Sequence, residues 1–122
     1  MSRNPSTINT LTSSLQRLPF FGGSRPDSAS EAQLYLQRAI QAASEERFDV
    51  ALVFCGKALQ VAPANLPARF LAGQLHEHFG DVDRAVEAYR KVIVLSGYET
   101  ANPYGTAARE ALDALVMAST AP

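Results

Sequence analysis

Two helical patterns follow one another in residues 65–97, NLPARFLAGQLHEHFGDVDRAVEAYRKVIVLSG. Asn65 and Asp81 each precede a pattern, and short polar side chains at such positions cap the first backbone N–H groups of a helix. Gly80 and Gly97 close the two patterns, because glycine adopts the left-handed conformation that ends many helices without a Cβ penalty. The predicted helices run from about residue 66 to 79 and from Asp81 to about residue 96.

The same kinds of signal delimit three further helices. Ser30 and Gln33 have the form of a capping box, in which a hydroxyl and an amide satisfy two backbone N–H groups. Pro63 ends the next helix, because proline has no N–H to continue the hydrogen-bond ladder. Asn102 and Pro103 combine a cap with proline at the first helical position. No segment alternates apolar and polar residues with a period of two, so the chain is predicted to be all-α with five helices. The three further helices are expected at about residues 30–45, 48–61 and 103–118.

The chain matches itself at an offset of 34 residues. Small residues then align with small ones, as with Ala39 and Gly73, and larger side chains align with larger ones, as with Cys55 and Tyr89. The other aligned pairs are Phe48 with Val82, Ala51 with Ala85, Leu59 with Ile93, and Val61 with Leu95. Two antiparallel helices approach to about 8–10 Å only where the contacting side chains are short. The offset therefore predicts two helical hairpins that share one packing scheme.

These two units resemble the tetratricopeptide repeat (TPR) family, whose helix–turn–helix period is also about 34 residues. In the first unit, residues 32–65, the family's aromatic, small and proline positions hold Tyr35, Ala39, Ala51, Ala58 and Pro63. In the second unit, residues 66–99, the matching residues are Gly73, Gly80, Ala85 and Tyr89. Residues 103–118 are similar to a following first helix or a terminal capping helix. The departures from the family pattern are Arg38, Glu46, Arg69 and Gly97. The resemblance implies a short α-solenoid of antiparallel helix pairs, a TPR-like superhelix, over residues 31–118.

In this family the first helix of each repeat lines a concave groove, and the resemblance assigns ten residues of this chain to that groove. They are Gln33, Leu36, Ile40, Ala43, Phe70, Gln74, Glu77, His78, Tyr104 and Ala108. The family's best-known ligands are peptide carboxylates clamped by Lys, Asn and Arg. The apolar residues found here therefore argue against heat-shock chaperone tails. The groove is instead expected to bind an amphipathic helix or an extended peptide with apolar anchors.

The apolar residues assigned to the groove also fit a second interpretation, in which they bind no partner. Leu36, Ile40 and Phe70 would then simply contact neighbouring helices or a folded-back tail. In the groove interpretation, Phe70→Glu is expected to abolish partner capture while leaving the helical content nearly intact.

Residues 1–30 differ in composition from the rest of the chain. They are rich in Ser and Thr, contain three prolines and carry no acidic residue before Asp27, so they are expected to form a disordered tail. Within them, residues 8–18 place four apolar side chains on one face of a helix, and two aromatic residues follow. These six residues are Ile8, Leu11, Leu15, Leu18, Phe20 and Phe21. The interpretations left open are a ligand for the chain's own groove, an organelle-targeting presequence, an address read by a partner, and plain disorder.

Composition limits the classes of function. The 122 residues suffice for one modest domain, and 11 Lys+Arg against 12 Asp+Glu leave a formal net charge of -1. That balance argues against nucleic acid as the main partner, because phosphate backbones need a concentrated basic surface. The single cysteine excludes an internal disulfide framework and suits a reducing compartment, so a cytoplasmic location is expected. No run of about 18 apolar residues is present to form an integral membrane segment.

Few residues are candidates for chemistry. His76 and His78 are two positions apart, so on a helix they point about 200° away from each other and cannot share a metal ion. Cys55 is expected at an inward position as an inert buried thiol. Glu87 and Lys91 have the spacing of a favourable ion pair on one helix. No recognisable acid–base or nucleophilic site is present, so the chain is predicted to have no catalytic residue, metal or cofactor.

The expected function is therefore protein–protein interaction by a non-catalytic adaptor or chaperone-like module that binds another protein or peptide. The alternative is a self-assembling structural or scaffold subunit. A stack of helical repeats needs about three units for stability, and this sequence supplies two units and one helix. Homo-oligomerisation, or exchange of the N-terminal segment between copies, would complete such a stack.

Overall fold

The computed structural model describes residues 28–97 and 101–120, which contain five α-helices. The helices are α1 (Ser28–Ser44), α2 (Phe48–Val61), α3 (Leu66–His78), α4 (Val82–Leu95) and α5 (Pro103–Thr120). No strand occurs among these residues, so the predicted all-α class is confirmed. Each helix packs against the next one in the chain, and α3 also contacts α5. The arrangement of the hairpins as a superhelix stays a prediction.

Side-chain caps begin three of the helices where the sequence predicts them. The Asn65 Oδ1 atom accepts a hydrogen bond from the Ala68 N–H at 3.0 Å, and the Asp81 Oδ1 atom accepts one from the Arg84 N–H at 3.2 Å. Asn102 accepts two such bonds at the start of α5. Because these caps are local interactions, the sequence alone is enough to locate them.

The start of α1 differs from the expectation. Helix α1 begins at Ser28, so Ser30 lies inside the helix and is not its N-cap. The first helix therefore begins two residues before its expected start at about residue 30. The rest of the predicted tail, including the amphipathic segment 8–18, lies outside the described residues.

The turn of each hairpin contains one residue with a positive φ. Glu46, between α1 and α2, has a φ of 61°, and Gly80, between α3 and α4, has a φ of 80°. The two residues are separated by the same offset of 34 that aligns the rest of the two units. A left-handed backbone favours glycine, and the glutamate at the first turn therefore adopts it at a cost of about 1–2 kcal/mol.

The first core cluster joins α1, α2 and α3, and most of its members are alanines. Its buried residues are Leu36, Ala39, Ile40, Ala42, Ala43, Ala51, Cys55, Ala58, Ala68, Leu71, Ala72 and Leu75. Short side chains on facing helices let the backbones approach closely, which is the packing that the sequence repeat predicts.

The second core cluster joins α3, α4 and α5 around Tyr89, which is fully buried. A Cβ atom added at Gly73 would lie 2.7 Å from the Tyr89 Cε1 atom, so only glycine leaves room for this ring. The Tyr89 hydroxyl donates a hydrogen bond to the Glu77 Oε1 atom at 2.7 Å. The contact between Gly73 and Tyr89 therefore fixes how α3 lies against α4.

Among the described residues, no helix is both long enough and apolar enough to cross a membrane.

Replacing Gly73 with Ala is expected to lower the free energy of unfolding by about 1–2 kcal/mol, because the added methyl group forces the Tyr89 ring to move. Gly56→Ala is the matched control, since a Cβ atom at Gly56 meets no atom within 4 Å. That variant is expected to be more stable by about 0.5–1 kcal/mol, because alanine favours the helix. Urea unfolding followed by circular dichroism measures both changes, and equal effects of the two variants would contradict the packing described.

Candidate functional site

The ten residues predicted to line a groove fall into two sets by exposure. Six of them are buried, namely Leu36, Ile40, Ala43, Phe70, Gln74 and Ala108. Gln33, Glu77, His78 and Tyr104 are partly exposed. All of the buried ones except Gln74 belong to the two core clusters, so their side chains are not free to contact a partner. The structure thus corrects the prediction of an open groove lined by these six residues.

Phe70 lies among other aromatic rings rather than on a surface. Its ring centroid is 5.6 Å from that of Tyr89 and 6.2 Å from that of Tyr104, and only 4% of the residue is exposed. A carboxylate at this position would be buried without a partner, which strongly destabilises a fold. The expectation that Phe70→Glu preserves the helical content is therefore wrong.

Gln74 is the polar member of the buried set. The residue is 5% exposed, and its Oε1 atom has no hydrogen-bond donor among the described residues. A buried carbonyl left without a donor costs about 1–3 kcal/mol. A hydrogen bond donated to the Gln74 Oε1 atom by a group outside the described residues would therefore be stabilising.

Tyr104 links the two core clusters at the start of α5. Partial burial raises the pKa of its phenol above the ordinary value, because the charged phenolate is poorly solvated there. The Tyr104 side chain is therefore a neutral packing group with a polar end.

An exposed apolar surface lies instead where the two hairpins turn. The ring centroids of Phe48 and His78 are 4.2 Å apart, and those of His78 and Phe79 are 5.3 Å apart. Phe79 is 51% exposed, and Val82, at the start of α4, is 44% exposed. We call these four residues, Phe48, His78, Phe79 and Val82, the aromatic edge. Of the four, only His78 was expected from the sequence to lie on a binding surface.

A sequence signal for the aromatic edge exists. Phe79 is a large apolar residue that directly precedes Gly80, the glycine that ends a helix. Side chains at such a turn are commonly exposed.

The candidates for chemistry are placed as follows. Cys55 is fully buried, and the loss of solvation raises the pKa of its thiol to about 12, so the thiol stays protonated at neutral pH. Within the described residues, no group of three or more His, Cys, Asp or Glu side chains is placed to hold a metal ion. The predicted tail motif, Ile8, Leu11, Leu15, Leu18, Phe20 and Phe21, lies outside the described residues.

Comparisons of this chain with protein-family models, with curated proteins and with solved structures find no match. The resemblance to the tetratricopeptide repeat family therefore stays a prediction from the residues named above.

The two phenylalanines of α3 and its C-terminal turn provide a matched pair for testing burial. Phe70→Ala is expected to lower the free energy of unfolding by about 3–5 kcal/mol, because it leaves a cavity between Tyr89 and Tyr104. Phe79→Ala is expected to change it by less than about 0.5 kcal/mol, because the side chain is half exposed. Chemical denaturation of both variants measures the difference. Similar losses in the two variants would contradict the assignment of Phe70 to the core and Phe79 to the surface.

Proposed function

We propose that the chain is a non-catalytic module that binds another polypeptide at the aromatic edge, as an adaptor or chaperone-like protein. The observation that carries the proposal is the exposure of Phe79 and Val82 beside the contacting rings of Phe48 and His78. Aromatic side chains are enriched at the centres of protein–protein interfaces, because they bury a large area at a small cost in conformational entropy.

The chemistry of the aromatic edge favours a partner with apolar anchors. Phe79 and Val82 offer apolar area, and His78 places a polar ring between the two phenylalanines. An amphipathic helix that inserts one or two apolar side chains would bury this area while its polar face stays in water. The recognition surface that we propose is therefore the turn end of the hairpins, and of the residues first predicted to line a groove it includes His78.

Other features support the rest of this proposal. The neutral, buried thiol of Cys55 suits a reducing compartment and has no nucleophilic role, in line with a cytoplasmic protein without catalysis. The positive φ of both Glu46 and Gly80, 34 residues apart, supports membership of the tetratricopeptide repeat family, in which such hairpins serve as binding scaffolds.

Exposed apolar residues elsewhere favour a second candidate function, self-assembly as a scaffold subunit. Val94 and Leu95, at the end of α4, are 55% and 38% exposed, and Met117, near the end of α5, is 72% exposed. In repeat proteins, terminal units that present apolar faces are covered by a capping element or by a neighbouring copy.

Peptide binding by the full chain tests the first candidate function. Amphipathic peptides selected from a phage-displayed random library on the wild-type protein are expected to bind the Phe79→Ser variant at least about tenfold more weakly, a loss of about 1.4 kcal/mol. Val53→Ser is the matched control, because Val53 is 58% exposed on α2 and lies outside the aromatic edge. Fluorescence anisotropy with one selected peptide measures the affinities. Failure to select any peptide, or equal weakening by both variants, would contradict the proposal.

Light scattering tests the second candidate function. If copies associate through the end of α4, the mass of the wild-type chain rises with concentration. Val94→Glu is expected to reduce that rise, because a carboxylate resists desolvation in an apolar interface. Val53→Glu adds the same charge at another exposed valine and should leave the association unchanged. A wild-type chain that stays monomeric at every concentration would exclude self-assembly.

A further inference from the structure

A cleft of about 380 Å³ lies on the opposite side of α3 from the aromatic edge, where α3 and α4 meet α2. We call it the basic cleft. Its lining residues are Leu59, Arg69, Ala72, His76, Arg84, Glu87, Ala88 and Lys91. Three of them carry a permanent positive charge and one carries a negative charge. The cleft therefore combines an excess of cations with a partly apolar wall, in a chain whose formal net charge is -1.

Helical spacing explains why these residues share one cleft. On α3, Arg69, Ala72 and His76 are three and then four positions apart, so they lie on one face of the helix. On α4, Arg84, Ala88 and Lys91 are four and then three positions apart and also share a face. Helices α3 and α4 are connected by a short turn and pack antiparallel. Arg69 therefore lies at the same end of the cleft as Lys91, and His76 lies at the same end as Arg84.

Arg69 is held in place with part of its hydrogen-bonding capacity unused. Its Nη2 atom donates a hydrogen bond to the Pro63 carbonyl at 2.8 Å, which anchors the guanidinium group. Its Nε atom is buried and has no acceptor among the described residues. A buried donor without an acceptor is costly, so an acceptor brought into this region would be stabilising after a small shift of the side chain.

Lys91 is not neutralised by the residue that the sequence suggests as its partner. Among the described residues, the ion pairs within 4 Å are Arg47 with Glu45 and Arg84 with Asp81. The pair between Glu87 and Lys91, which their spacing predicts, is therefore not formed. Lys91 and Arg69 provide two positive charges without a carboxylate in contact.

His76 lies at the other end of the cleft as a neutral group. Its partial burial lowers the pKa of the imidazole, and the positive charge of Arg84 acts in the same direction. The carboxylates of Asp81 and Glu87 oppose this shift. At pH 7 the neutral ring adds one N–H donor to the cleft without adding charge.

We infer that the basic cleft binds an oxyanion of the phosphate class, as the free ion or as a monoester group, with Arg69 and Lys91 as its main ligands. Guanidinium and ammonium groups are the side chains that recognise phosphate, arginine through its planar fork and lysine as a point charge. Leu59, Ala72 and Ala88 form the apolar part of the cleft wall, and the low polarity beside them strengthens charge-assisted hydrogen bonds.

Titration of the ¹⁵N-labelled full chain with inorganic phosphate tests this inference, with chloride used to hold the ionic strength constant. We expect saturable shifts of the amide resonances of residues 69–76 and 84–91. Lys91→Gln and Arg69→Gln are each expected to weaken binding about tenfold, by loss of one charge-assisted contact. Lys91 is exposed, so its substitution tests the site even if Arg69→Gln affects folding. O-phosphoserine in a second titration distinguishes a free ion from a phosphorylated polypeptide, according to which of the two binds more tightly.

A second depression, of about 800 Å³, lies on the outer surface of α4 and is lined by α4 residues alone. Two matched control variants distinguish phosphate binding in the cleft from binding at this depression. Arg90 and Asp83 line that depression but not the cleft. Glu87→Gln is expected to tighten phosphate binding several-fold, because it removes the carboxylate from the cleft, whereas Asp83→Asn should not. Arg90→Gln should leave the affinity unchanged. Shifts that never saturate, or an Arg90→Gln variant as weak as Lys91→Gln, would overturn the inference.

Discussion

The close approach of Gly73 to Tyr89 is the contact on which the second half of the fold depends. Because glycine has no Cβ atom, the tyrosine ring occupies space that any other residue at position 73 would fill. The ring then donates its hydroxyl to Glu77 and packs against Phe70, which in turn meets Tyr104 of α5. One missing methyl group thus sets the register of α3 on α4 and, through Phe70, the position of the last helix.

The same register positions both candidate surfaces. With α3 fixed against α4, Arg69 and Lys91 come to one end of the basic cleft, while the turn after α3 exposes Phe79 and Val82 in the aromatic edge. His76 and His78 show how one helix serves both surfaces. They are two positions apart and therefore point about 200° away from each other. His76 lines the cleft, and His78 packs against Phe48.

The sequence was sufficient where the determining interactions are local. The caps at Asn65, Asp81 and Asn102 act within four residues, so they could be predicted without any tertiary information. The exposure of Leu36 and Phe70 depends on how helices distant in the chain pack around them. An apolar residue in a helical pattern fits a groove and a core equally well, and the structure places both of these in the core.

The departures from the repeat pattern carry information that the matching positions do not. Matching positions such as Ala51 and Ala85 are buried small residues, and they serve packing alone. The resemblance predicts a large apolar residue at position 69, and Arg69 instead lines the basic cleft with one buried donor that has no acceptor in the part of the chain that the structure describes. A guanidinium group at a position otherwise suited to packing costs desolvation, which only a hydrogen-bond partner or an anion offsets. Arg69 offsets part of this cost through its hydrogen bond to the Pro63 carbonyl, and the phosphate-class anion that we propose for the basic cleft would offset more of it.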